Sequence, residues 1–240
     1  MNILITGGSS GLGKSIVEAA ASDKSNTVYF TYRSHKENAD AICSQFDNAV
    51  AVHCDFTDSA SLESFVNQIA DFNLDVLVNN AYSGTTLGWH FHKTPVEDFA
   101  SAFQNNVLPL ISITQKSIET FRKKKSGKII TILTSALVGT PPMGYSVYSA
   151  TKAYIAQLVK SWSKEYIKLG VTSNAVAPDF MQTALTEETN DFVKEQIKES
   201  NPLKTILTTE EVATVVLDLI NSSSQLNGVT IPVNAGANIL

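Results

Sequence analysis

The chain has 240 residues, 43% hydrophobic and 17% charged, with 18 basic against 23 acidic side chains and a net charge of -5. That length fits one large α/β domain, so a single domain over residues 1–240 is expected. The charge balance lacks the basic excess of a general nucleic-acid binder, and no apolar run is long enough to span a bilayer.

Cys43 and Cys54 show neither zinc spacing nor a disulfide framework. The N-terminus enters a strand pattern at once, without the regions of a signal peptide, which points to a reducing cytoplasmic compartment.

Asn2 to Thr6 is a short apolar strand that stops at Gly7-Gly8-Ser9-Ser10-Gly11-Leu12-Gly13 and gives way to a helical pattern from Ser15 to Ala21. Glycines allow a tight turn and close approach to a ligand, and the free N–H groups of the following helix form a pyrophosphate site. The same glycines would also serve a turn that merely needs φ > 0; the position directly after an N-terminal strand favours a nucleotide. The second strand, Thr27 to Tyr32, ends about 20 residues past that loop, where a dinucleotide fold meets the adenosine ribose. This chain places Thr31, Arg33 and Ser34 there instead of a carboxylate, so NADPH (NADP) is preferred over NADH, with Lys36 able to add charge. An ordinary surface arginine would look the same.

A helix over Lys36 to Gln45 and a strand over Ala49 to His53 lead to Asp55, which either reaches an adenine amino group or is a solvated loop carboxylate. Ser61 to Phe72 reads as a helix and Asp75 to Val78 as a buried strand that ends in Asn79-Asn80-Ala81-Tyr82. A strand-end Asn such as Asn79 suits either a strand-edge hydrogen bond or a cofactor contact. Thr94 to Phe121 is one long helical segment, and Asn106 and Pro109 inside it predict a kink that could free a carbonyl for water. Arg122 to Lys125 suits a helix C-terminus, with docking of an acidic partner as the alternative.

Lys128 to Thr134 is a strand that delivers Ser135 to its end; Tyr148 to Leu169 is a helix, and Val171 to Ala177 a strand ended by Pro178. Met181 to Ile206, with helical character in Thr189 to Glu199, reads as a substrate lid; a helix over Thr209 to Ile220 and a strand over Gly228 to Val233 close the chain. Tyr148 and Lys152, four residues apart, share a helix face. A free phenol titrates near pH ~10, and lowering it to about 7 takes roughly 4 kcal/mol of preferential phenolate stabilisation, within reach of a desolvated ammonium.

Alternating strands and helices imply an α/β fold: a Rossmann-type, doubly wound parallel sheet of about seven strands with helices on both faces. Ligands bind beyond the carboxyl ends of such strands, and Gly7 to Gly13, Arg33, Asp55, Asn79, Ser135 and Pro178 all fall there.

With Thr6-Gly7-x-x-x-Gly11-x-Gly13, Asn79-Asn80-Ala81, Asn106, Ser135 and Tyr148-x-x-x-Lys152, the chain resembles a classical short-chain dehydrogenase/reductase over nearly its whole length. The resemblance implies that Tyr148 is the general acid in carbonyl reduction, that Ser135 hydrogen-bonds the substrate oxygen, that Lys152 lowers the Tyr pKa and binds the nicotinamide ribose, and that Asn106 holds a relay water. It implies a cofactor site of Gly7, Ser9, Ser10, Gly11, Leu12, Gly13, Arg33, Ser34, Asp55, Phe56, Asn79, Ala81, Tyr148, Lys152, Pro178 and Thr183. The closest-looking subgroup reduces 3-oxoacyl groups on a carrier protein, for which Lys123 to Lys125 would be the docking cluster. A small-molecule ketone reductase or secondary alcohol dehydrogenase is the alternative, and a cofactor-binding or assembly subunit with little turnover is the reading from another class. A homodimer or homotetramer built on the long helices is implied as well. Tyr82 and Asp179 stand where the family usually has glycine, which would strain the backbone or reshape the nicotinamide pocket, and Asn234 replaces a usual Asp.

Overall fold

Ile3, Leu4 and Ile5 are wholly buried, which requires cover on both faces of their strand, β1 (Asn2–Ile5). A computed structural model, which describes residues 1–186 and 189–239, provides it. The other strands are β2 (Thr27–Tyr32), β3 (Ala49–His53), β4 (Val76–Asn79), β5 (Gly127–Ile132), β6 (Val171–Pro178) and β7 (Thr230–Val233). They form one sheet in the order β3-β2-β1-β4-β5-β6-β7, with every neighbouring pair parallel. The winding reverses between β1 and β4, so a crevice opens beyond their carboxyl ends.

Eight α-helices cover the sheet among the described residues: α1 (Gly11–Ala21), α2 (Lys36–Gln45), α3 (Ser59–Gln68), α4 (Val96–Ala102), α5 (Leu108–Lys124), α6 (Ser146–Tyr166), α7 (Asp191–Ser200) and α8 (Thr209–Asn221). Side chains alternate sides along a strand. Ile3 and Ile5 therefore pack with Ile16 of α1, Ile42 of α2 and Val216 of α8, whereas Leu4 packs with Phe65 of α3 and Ile113 and Phe121 of α5. Each such side chain contributes about 1.5–3 kcal/mol on burial. A third cluster joins Val107 and Leu110 to Ile155 and Val159 of α6 against Ala175 and Ala177 of β6.

The long segment expected as one kinked helix is three pieces: α4, a π-turn over Phe103–Val107, and α5. The Leu108 N–H donates to the Phe103 carbonyl, and the Asn106 side-chain amide donates to the Ala102 carbonyl at 3.0 Å. Pro109 enters α5 in its first turn, where its missing N–H and ring are tolerated. The expected strain at Tyr82 and Asp179 is absent. Among the described residues the non-glycine positions with positive φ are Asn73, Lys125, Lys204 and Ala235. Residues 187 and 188 of the expected lid lie outside the described residues.

Candidate active site

A cavity of about 710 Å³ opens at the carboxyl ends of the strands and runs from the glycine loop to the first turn of α6. At one end α1 begins at Gly11 with no acidic residue in its first turn, so its free N–H groups face no competing carboxylate of their own. Glycine is obligatory here for space: a Cβ on Gly13 would lie 2.0 Å from the Gly7 carbonyl oxygen, and one on Gly7, at φ +69, 3.0 Å from the Ala81 Cα. Thr6 ties this loop to β4, its hydroxyl accepting from the Asn80 and Ala81 N–H groups at 3.0 Å each. The Asn80 amide donates back to the Thr6 and Gly7 carbonyls at 2.9 and 3.1 Å.

Arg33 and Ser34 are exposed at the end of β2, on the cavity wall with Asp55 and Phe56. Asp55 accepts the Thr57 N–H and hydroxyl at 2.9 and 2.8 Å, and these bonds, more than Arg33, hold its carboxyl below the usual range. The narrow glycine cradle and the bare helix start suit the pyrophosphate of a dinucleotide, whose adenosine end would lie towards Arg33 and Asp55.

At the other end Thr134 caps the short turn that carries Ser135, while Tyr148 and Lys152 sit one turn apart in α6, 8% and 5% exposed. The Ser135 hydroxyl donates to Asp179 Oδ1 at 3.0 Å. Lys152 Nζ donates to the Ile132 carbonyl at 2.8 Å and lies 5.1 Å from the Tyr82 ring centroid and 5.9 Å from that of Tyr148. Tyr82 and Tyr145 each stand edge-on to Tyr148, with ring centroids 5.1 and 5.7 Å away. Burial dominates the titration of this group. It pushes the Tyr148 phenol up to about 12, against a pull from its Thr134 hydrogen bond, and lowers Lys152 to about 8. Burial also raises Tyr82. The expectation that Lys152 brings Tyr148 towards neutrality is thus reversed in the chain by itself, because both charged forms lose hydration.

A family model described as enoyl-(acyl carrier protein) reductase matches residues 7–238. The chain belongs to the short-chain dehydrogenase/reductase family. The 3-oxoacyl-[acyl-carrier-protein] reductase FabG of Aquifex aeolicus is 34% identical, covering 97% of this chain and 95% of that protein. FabG of Staphylococcus aureus is 30% identical, with 97% and 96% covered. A 3-ketoacyl-(acyl-carrier-protein) reductase from Brucella melitensis, complexed with NADH, superposes with a TM-score of 0.87 at 25% identity, covering 99% of this chain and 98% of that one. A short-chain dehydrogenase from Burkholderia cenocepacia in complex with NADP shares the fold, with a TM-score of 0.87 at 23% identity and 99% and 98% covered. This short-chain dehydrogenase/reductase is an NAD(P)-dependent oxidoreductase.

Of the positions singled out in the dehydrogenase's sequence, the glycine-loop residues Gly7, Ser9, Ser10, Gly11, Leu12 and Gly13 line the cavity. So do Ala81, Asn106, Ser135, Tyr148, Lys152, Pro178 and Thr183. Asn79 does not. It is buried, with its amide donating to Thr114 Oγ1 of α5 at 3.1 Å; alternation at the end of β4 turns Asn80 to the glycine loop instead. Asn106 accepts the Ser83 N–H at 2.7 Å and donates to the Ser83 carbonyl at 3.1 Å, clamping the loop that carries Tyr82. Thr86, Pro142 and Tyr145 also line the cavity, as do Met181 and Ile197 of the expected lid.

Within one chain the expected docking cluster, Lys123 to Lys125, lies at the other end of β5 from Ser135. Arg122 to Lys125 ends α5 and leads into the start of β5, whose six residues at about 3.3 Å each separate it from the Ser135 end. Lys124 is moreover engaged with Asp75 and the Asn73 and Leu74 carbonyls. Asp179 was legible only as a departure from the family pattern; its bond to Ser135 links residues 44 apart in sequence and had no local signal.

Proposed function

We propose that the protein reduces a 3-oxoacyl group to the 3-hydroxyacyl group with NADPH, on a substrate carried by an acyl carrier protein. The observation that carries this reading is the meeting of Ser135, Tyr148 and Lys152 in one cavity with the glycine loop and Arg33. The names of the curated relatives support the acyl class. Exposed apolar residues in the chain segments beside the cavity-lining Thr86 and Pro142 and in the lid, Trp89 at 68%, Met143 at 80% and Phe192 at 69%, suit an acyl chain.

Gly7 to Gly13 would hold the pyrophosphate and Arg33 the 2′-phosphate; when bound, the nicotinamide supplies a hydride to the carbonyl carbon. Tyr148, kept protonated by burial, gives its proton to the carbonyl oxygen, and Ser135 turns its hydroxyl onto that oxygen. Lys152, beside the ring, stabilises the phenolate that results. Asn106 positions the loop under Tyr82 as well as any relay water. Met181 to Ile206 acts as the lid, and the enzyme works in the cytoplasm as a homodimer or homotetramer.

The test is NADPH consumption with carrier-bound 3-oxoacyl substrate, a free thioester and simple ketones. Turnover highest on the acyl substrates supports the reading; turnover confined to simple ketones replaces it with a small-molecule reductase.

A further inference from the structure

Asp179 is a charge that the proposed reduction does not require. Among the described residues the carboxylates on the cavity wall are Asp55, beyond β3, and Asp179, beyond β6. The Asp179 backbone is fixed by its N–H donating to the Val233 carbonyl at 3.0 Å, and its Oδ1 accepts the Ser135 hydroxyl at 3.0 Å. No described cation lies within ion-pair distance of it. Lys152, the buried ammonium on the wall, faces the Ile132 carbonyl and two phenol rings. An uncompensated carboxylate is therefore aimed at the hydroxyl that the reduction places on the substrate oxygen. A second carboxylate near the reacting carbonyl would meet like-charge repulsion in a cavity partly screened from water. An ester or thioester there would not.

We propose that Asp179 sets the charge class of the substrate, rejecting carbonyl compounds with a free carboxylate one or two carbons from the reacting carbonyl and admitting those whose acid is masked as an ester or thioester. The proposal rests on the reading of Ser135 and Tyr148 as the reaction centre.

It is tested with ethyl 3-oxobutanoate and 3-oxobutanoate on the wild type, Asp179→Asn and Asp179→Ser. Asn keeps an acceptor for Ser135 and removes only the charge. The ester-to-acid ratio of kcat/KM should fall by about tenfold or more in Asp179→Asn, through the KM of the acid. A ratio that both variants leave unchanged would overturn the proposal. Should neither variant melt cooperatively, the wild-type discrimination is measured against salt: it should weaken as salt rises, and an invariant ratio would refute it. If the wild type turns over neither compound, the reaction-centre reading fails for this class, and calorimetric dissociation constants decide the charge question. There the acid should gain on the ester in Asp179→Asn, and no gain would sink the idea.

Discussion

Lys152 is held where an ammonium is poorly hydrated, and its folded pKa near 8, below the ordinary 10.5, makes it destabilising at neutral pH. The shift corresponds to about 3 kcal/mol, less roughly 1 kcal/mol for the Ile132 hydrogen bond. Between about pH 8 and pH 10 the unfolded chain binds more protons than the folded one at this residue, so wild-type stability should rise with pH. Lys152→Met should unfold at higher urea than wild type at pH 7, the gap narrowing by pH 9.5; equal midpoints at both pH values would contradict the account. The Tyr148 and Lys152 spacing was readable in the sequence because four residues always share a helix face. What burial does to both groups was not readable, since it depends on Tyr82 arriving from the loop after β4 to close over Tyr148 and Lys152. The same limit applies to Asn79: its type predicted a polar role at a strand end, whereas the side to which it points depends on register.

At the scale of elements, short apolar runs bounded by turn residues announce the strands, and β2, the edge strand β3 and α2 match their expected limits. The π-turn was visible only as trouble in a helix. There Asn106 is joined to Ser83, a contact that no local pattern encodes. Asn106→Ala removes four hydrogen bonds from a buried position and should cost about 1–3 kcal/mol in urea unfolding. It should also raise backbone hydrogen exchange around Tyr82. Unchanged exchange there would show that the loop is held by other contacts. At the start of α1, Gly13→Ala forces a Cβ against the Gly7 carbonyl, and dinucleotide binding measured by fluorescence should be lost or fall by an order of magnitude or more.

At the scale of the whole molecule, the alternation of strands and helices fixed which ends carry ligand groups, and the reversal between β1 and β4 opened the crevice there. The basic cluster shows the limit of that reasoning. Its residues were conspicuous in sequence, yet topology puts them at the opposite end of β5. Replacing Lys123 and Lys125 by Ala should leave turnover of carrier-bound and free thioester substrates alike. A selective loss on the carrier-bound one would mean that a neighbouring copy brings the cluster to the site. Arg33→Asp should move preference towards NADH; a constant NADPH to NADH ratio would remove Arg33 from the phosphate site. The most direct test of the proposed function is single-turnover NADPH oxidation by wild type and Tyr148→Phe on a carrier-bound 3-oxoacyl substrate, with NADPH affinity measured in both. The account predicts equal affinity and a rate lowered by about 10²–10⁴-fold in the variant. Comparable rates in the two proteins, or no oxidation by wild type despite tight NADPH binding, would contradict it.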